Sequence, residues 1–278
     1  MHAALRRSPA LAALFSAAIA AVSTPGNAAA ATTHSSHEPD VAKMIFTCSD
    51  ATRGIALIGW CETGNFIGPI HVGSLFYAEA ENNFIGLVQG GWVNVTEHNF
   101  YGLLQYGAVN SAGAEMVRKS NSQATKWSSV ITEGEFIGLA QIGTYNMAGN
   151  FQGLLQYGLM NEARRFRGLL QLGIIYNRGV DVLGIQSGFW SETKVFRGIG
   201  ISAVAIQETT AGAQFGLVAW SDDFTGIQAA GFNRADKMAG VQLGVVNFAR
   251  ELKGFQLGVL NINLNGKLPV MPILNANL

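Results

Sequence analysis

Few residues in this chain have the types and spacing that chemistry needs. The only two cysteines, Cys48 and Cys61, lie 13 residues apart. In an oxidising compartment an isolated pair bridges. A redox or metal role would need a CxxC spacing or further ligands, and neither is present, so the expectation is a structural disulfide between Cys48 and Cys61. His71 and His98 are the two histidines inside the patterned part of the chain. His98 stands beside Glu97 in a turn, and no convergent set of His, Cys or carboxylate ligands accompanies either one. The sequence has no HExxH, no GxSxG and no phosphate-binding glycine loop followed by Lys and Ser or Thr. No catalytic, cofactor-binding or metal-ligating residue is therefore expected, and the chain does not read as an enzyme. What recurs is the side-chain amide. Gln89, Gln105, Gln141, Gln156, Gln171, Gln186, Gln214, Gln228, Gln242 and Gln256 form one series, and Asn110, Asn146, Asn161, Asn247 and Asn261 another. Their chemistry is hydrogen bonding, each amide donating to the next in a stack.

A series needs a periodic scaffold, and the spacing supplies it. From Gly184 the opening glycines fall every 14 residues, at Gly198, Gly212, Gly226, Gly240 and Gly254. Such a fixed period marks a modular array. The unit runs Gly, apolar, Gln, apolar, Gly, apolar, apolar, Asn, any residue, Ala, two further residues, Phe or Leu, and one more. Gly240 to Lys253 shows it whole, with Val241, Gln242, Leu243, Val245, Val246, Asn247, Ala249 and Leu252. Alternation over its first seven positions signals a strand, and Asn with small residues signals a turn. Placing the apolar alternates, the Ala and the Phe inside leaves Gln and the charged positions outside. On that assignment His71, which stands where the Gln belongs, is an outer polar rung. Leu243→Asp should then destabilise strongly, whereas Gln242→Ser should be mild.

Earlier units are longer. Gly102, Gly153 and Gly168 each open a Gly-Leu-Leu-Gln run with one extra residue before the Gln, which is how a β-bulge looks in sequence. A phenylalanine stands two residues before many opening glycines, as at Phe66, Phe84, Phe100, Phe136, Phe151, Phe166 and Phe196. Counting from Gly54 gives about 13 units. One spacing departs from the rest, the 36 residues from Gly102 to Gly138. It holds a polar excursion over 113–133 that gathers Arg118, Lys119, Lys126 and Trp127, residue types favoured as interface anchors. This is the candidate interaction loop. The tail with Pro269 and Pro272 breaks the pattern and reads as a terminal cap.

Two all-β architectures accommodate the unit. In a repeat β-solenoid each unit is one coil stacked in parallel on the next. In an up-and-down outer-membrane β-barrel each unit is one antiparallel strand, and the Gln series would line a polar pore. The solenoid is preferred. No 28-residue alternation of turn chemistry distinguishes two rims, only one connection is long, and two prolines occupy what would be the closing strand.

The bulk properties bound the function. Residues 1–30 have the build of a signal peptide: His2, Arg6 and Arg7, then an apolar run from Leu11 to Val22, then Ala28, Ala29 and Ala30. A polar linker over 31–43 precedes a single repeat domain over 44–278. The chain has 18 basic and 18 acidic side chains, and only 13% of its residues are charged. That composition offers no basic patch for a nucleic acid. At Val241 to Ala249 and Phe255 to Asn261 the chain resembles exported bacterial surface-repeat proteins whose tandem units read apolar-Gln-apolar-Gly-Leu-apolar-Asn-x-Ala. The likeness covers most of 54–261. It is also similar, more distantly, to the 14-residue head coils of trimeric autotransporter adhesins, which are richer in Ala and Ser. The resemblance implies a bacterial envelope or surface location and brings no catalytic residues. The expected function is an exported scaffold or adhesive surface in periplasm, outer membrane or cell surface. Its partner is an envelope or surface component, protein or glycan, with membrane association open and no cofactor.

Overall fold

The structure, a computed structural model, describes the backbone over residues 51–57, 60–72, 77–121, 124–131 and 134–277, and side chains within these over 64–72, 78–113 and 134–277. Strands β1 (Ala51–Leu57), β2 (Trp60–Val72), β3 (Tyr77–Ile85), β4 (Val88–Gly90), β5 (Val93–Thr96), β6 (Asn99–Tyr101) and β7 (Leu104–Ala112) open the array. After β8 (Ala114–Asn121) and β9 (Ala124–Ile131) it resumes with β10 (Glu135–Ile137) and β11 (Ala140–Asn263), a continuous extended run of 124 residues, and ends in β12 (Val270–Asn277). Up to β11 every pairing in the main sheet is parallel. Phe66 lies against Phe84, Phe84 against Phe100, Phe100 against Phe136 and Phe136 against Phe151. Each coil thus rests in register on the one before. An up-and-down barrel joins neighbouring strands antiparallel, so the barrel alternative is excluded and the all-β solenoid stands.

Register crosses the excursion without loss. Gln105 pairs with Gln141, Asn110 with Asn146 and Ala112 with Ala148. The intervening β8 and β9 form a two-stranded sheet of their own, and Met116–Val130 belongs to a compact unit separate from that of Val41–Glu115 and Ile131–Leu278.

Glycine makes the corners. In the 14-residue coils Gly184, Gly198, Gly212, Gly226, Gly240 and Gly254 all take φ between 128° and 141°, a region costly to any residue with a Cβ. A Cβ at Gly240 would also lie 2.1 Å from the carbonyl oxygen of Gly226 in the coil beneath. The longer coils turn the same corner with their extra residue. There two amides converge on one carbonyl: Leu103 and Leu104 both donate to Leu87 O, and Leu154 and Leu155 both donate to Leu139 O. That two-against-one pairing is a β-bulge.

The interior bears out the sequence-based assignment at the Ala and Phe positions and reverses it over the first seven positions of the unit. Gln242, Asn247, Ala249 and Leu252 are buried, while Leu243, Val245 and Leu257 are exposed. His71 is fully buried too and is no outer rung. The reason lies in backbone carbonyls that turn inward at the bends. Asn233 Nδ2 donates to Leu243 O at 2.8 Å, and Gln242 Nε2 donates to Phe248 O at 3.2 Å. An aliphatic side chain at either column would leave those carbonyls buried and unpaired, at roughly 1–3 kcal/mol each. Apolar filling comes instead from the phenylalanine column. From Phe66 to Phe166 successive rings stack at 4.7–5.2 Å and lie within 7° of parallel. At the end of the array β12 runs antiparallel along the last coil, with Phe255 opposite Ala276 and Leu257 opposite Leu274. It covers an edge that would otherwise offer unpaired backbone groups.

Candidate functional site

Inside the array two amide columns run from coil to coil. Gln105 donates to Gln89, Gln141 to Gln105, Gln156 to Gln141, Gln171 to Gln156 and Gln186 to Gln171, at 2.7–2.9 Å. Asn94, Asn110, Asn146 and Asn161 each donate to the asparagine above, at 2.8–3.1 Å. The columns hold the coils together, and every amide in them is buried. His71 heads the Gln column. Its ring stacks on Phe66 at 4.5 Å and on Phe84 at 6.3 Å. Burial lowers its pKa to about 4, so the ring is neutral near pH 7. His98 is exposed, with Nδ1 3.2 Å from Glu81 O. Among the described residues no group of three or more His, Cys, Asp or Glu is placed to hold a metal ion.

Other candidates from sequence fall where little is described. Cys48 lies outside the described residues, as does the side chain of Cys61, whose backbone is in β2. Arg118 and Lys119 are on β8, and Lys126 and Trp127 on β9; their side chains lie outside the described residues. The structure brings these four onto one two-stranded sheet.

The surface of the array is the feature the sequence reading missed. From Gly86 to Asn261, each run from an opening glycine to the asparagine position contains no Asp, Glu, Lys or Arg. The run that opens at Gly86 bends at 86–87 and again at 91–92, and those at Gly102 and Gly138 bend at the opening glycine; parallel register carries these positions along the stack. The bends make two successive outer faces. Leu169 (60% exposed) lies on the first, and Leu217 (67%) and Val259 (72%) on the second. Charge is confined to the remaining part of each coil, which forms a ridge along the stack. There Asp181 bridges Arg167 and Arg197 at 2.5 and 2.6 Å, and the hydrogen bond from Arg167 holds its carboxyl below the usual range.

Where ridge and faces meet, aromatic residues turn polar ends toward the charges. Tyr145 donates to Glu162 and Tyr176 to Glu192, each at 2.9 Å. Burial and the neighbouring Glu192 raise the Tyr176 hydroxyl pKa well above its ordinary value. The Arg234 guanidinium lies over the Trp220 ring at 3.9 Å and the Phe248 ring at 5.5 Å. A sign of the inversion was present in the sequence. The Gln position repeats one residue type, as a ladder of like rungs requires, whereas its neighbours vary among Ile, Val, Leu, Phe and Ala, as an outer position allows. Comparison of the chain with protein-family models, with curated proteins and with solved structures finds no match, and the reading of this surface rests on its own residues.

Proposed function

We propose that this chain is an exported, non-enzymatic repeat protein of the bacterial envelope or surface, acting as a scaffold or adhesive surface. The observation that carries the reading is the repetition itself. Every coil from Gly86 to Asn261 presents the same uncharged strip on a stack held by internal amide columns. A surface of this kind gains strength from many equivalent contacts, whereas an active site concentrates unlike groups at one point. The leader-like segment over 1–30 and the resemblance of 54–261 to surface-repeat proteins supply the envelope location. The test is expression of the full chain with a C-terminal tag in a Gram-negative host, followed by N-terminal sequencing and cell fractionation. Cleavage near Ala28–Ala30 with recovery in the envelope fraction is expected. Recovery of the uncleaved chain in the cytosol would overturn the reading.

A further inference from the structure

The distribution of charge around the coil narrows what this surface contacts. The two outer faces between each opening glycine and the asparagine position are free of charge along the whole stack and carry exposed Leu, Ile, Val and Phe. The phenylalanine column lies behind the rest of the coil, whereas behind those faces, between each opening glycine and the asparagine position, the interior is lined by the amide columns. This is the reverse of the order that water favours, in which apolar surface is withdrawn and polar surface exposed. We propose that the two faces are buried in the hydrocarbon of a lipid bilayer, with the stack axis in the membrane plane and the charged ridge in the headgroup region. The proposal deepens the envelope reading by naming the partner.

Three observations select a bilayer, and this orientation of it. The apolar side chains stand exposed on both sides of the second glycine, where the coil opening at Gly86 bends, with Leu243 and Leu257 before it and Val245 and Val259 after it. A rigid second copy of the chain covers one plane, whereas fluid acyl chains cover both sides of an edge. The borders of those faces hold Tyr145, Tyr176 and Trp220, and both tyrosine hydroxyls point to ridge carboxylates. Aromatic rings with one apolar and one polar end favour the bilayer interface. Ridge charges recur along the stack from Glu97 to Lys253, in every coil but 138–152. A stack standing across the membrane would carry those charges through the hydrocarbon. Coils from Gly86 to Asn261 also stack to about 50 Å at strand spacing, against roughly 30 Å of hydrocarbon. Lying in the plane avoids both conflicts. The coil-to-coil backbone pairing satisfies polar groups that lipid cannot. With equal numbers of acidic and basic side chains, binding should not require anionic lipid.

The test is flotation of the purified full chain with vesicles of neutral phosphatidylcholine. Three double variants are compared with it. Leu243→Asp with Leu257→Asp charges the first face, Val245→Asp with Val259→Asp charges the second, and Thr209→Asp with Thr225→Asp adds the same charge to the ridge. The apolar run Leu11–Val22 is common to all four proteins, so differences belong to the array. The unmodified chain and the ridge variant should float equally at low and high salt. Each face variant should lose on the order of tenfold or more in bound fraction while still unfolding cooperatively. Should a charged variant fail to fold, the unmodified chain answers instead. Its tryptophan emission should be quenched by chain-brominated phosphatidylcholine, and Trp92→Phe, which removes an exposed tryptophan, should reduce that quenching. Absence of flotation by the unmodified chain, or equal flotation by all four proteins, would overturn the proposal. So would a lipid-free dimer, detected by light scattering, that the first-face variant dissociates, since that assigns the face to a second copy. None of these outcomes alters the fractionation result, so the envelope reading and the bilayer proposal fail separately.

Discussion

The coils before Gly198 and the coil 198–211 share a frame but not a filling. Below it, the Gln column is continuous from Gln89 to Gln186 and one apolar cluster extends from Phe66 to Phe196. In coil 198–211 the Gln position is Gly200, the asparagine position is Ala205, the small-residue position is Gln207 and the phenylalanine position is Thr210. The consequences are local and specific. Gln207 Nε2 and Gln214 Nε2 are buried without partners. Hydroxyl contacts replace the columns, Ser191 with Ser202 at 2.7 Å and Thr210 with Ser221 at 3.2 Å. A second apolar cluster starts only at Phe224. In a stack whose stability is a sum over neighbouring coils, such a coil is the point of lowest local stability and the first to open. The contrast teaches that coil shape is set by glycine and backbone pairing, while cohesion between coils is set by what fills the columns.

The largest effect should come from interrupting the intact column. Gln171→Leu removes the donor to Gln156 and the acceptor for Gln186. With roughly 1–3 kcal/mol for each of the two polar groups left buried and unpaired, the loss is about 2–6 kcal/mol in denaturant unfolding. Gln207→Leu in the disrupted coil should cost much less, since its Nε2 already lacks a partner. Equal losses would break the comparison.

Glycine gives the next contrast. Gly240→Ala meets both φ of 132° and the Gly226 carbonyl, and should cost about 3 kcal/mol. At Gly200 a Cβ would find nothing nearer than Phe196 Cε1 at 3.5 Å, so Gly200→Ala should be close to neutral. Thermal unfolding of the two variants compares a corner glycine with a vacant rung.

His71 tests the start of the column by pH. Its folded pKa, about 4, lies below the ordinary 6.5, so the unfolded chain takes up the proton first as pH falls. The stabilisation is fully present above pH 6.5 and is lost between about pH 6.5 and 4, up to about 3 kcal/mol. His71→Gln should flatten that part of the stability profile. A profile unchanged by the substitution would place the ring in water. The smallest effect, a gain of about 1 kcal/mol, is expected from Gly200→Gln, which supplies the missing rung between Gln186 and Gln214. Protection of amides in coil 198–211 from hydrogen exchange should rise with it.

Much of this architecture is legible in the sequence. The 14-residue period, the glycine corners, the bulge before Gln105 and the phenylalanine column follow from spacing alone, because each states a backbone requirement. The direction of the side chains is not legible in the same way. Alternation of apolar and polar residues shows that two sides differ but not which is inside, and the habit of burying Leu and Val gives the wrong answer for Leu243 and Val245. Only the inward carbonyls at the bends decide it, and these exist once the coil is closed. The disruption at 198–211 was likewise present as Gly200 and Ala205, but it acquires meaning only when neighbours are stacked. The excursion was visible as a spacing of 36 residues, while its pairing into β8 and β9 required the fold.

The central claim is that this array keeps its two amide columns inside and the aliphatic residues that flank them outside. Thermal unfolding of Gln242→Leu beside Leu243→Asp, measured lipid-free in one buffer, tests it most directly. Gln242→Leu should lower the midpoint by several degrees, since it strands Gln228 Oε1 and Gln256 Nε2; a loss of 1 kcal/mol shifts a domain of this size by roughly 2–4 °C. Leu243→Asp, on an exposed position, should shift it by no more than about 2 °C. A large fall for Leu243→Asp with little change for Gln242→Leu would contradict the account.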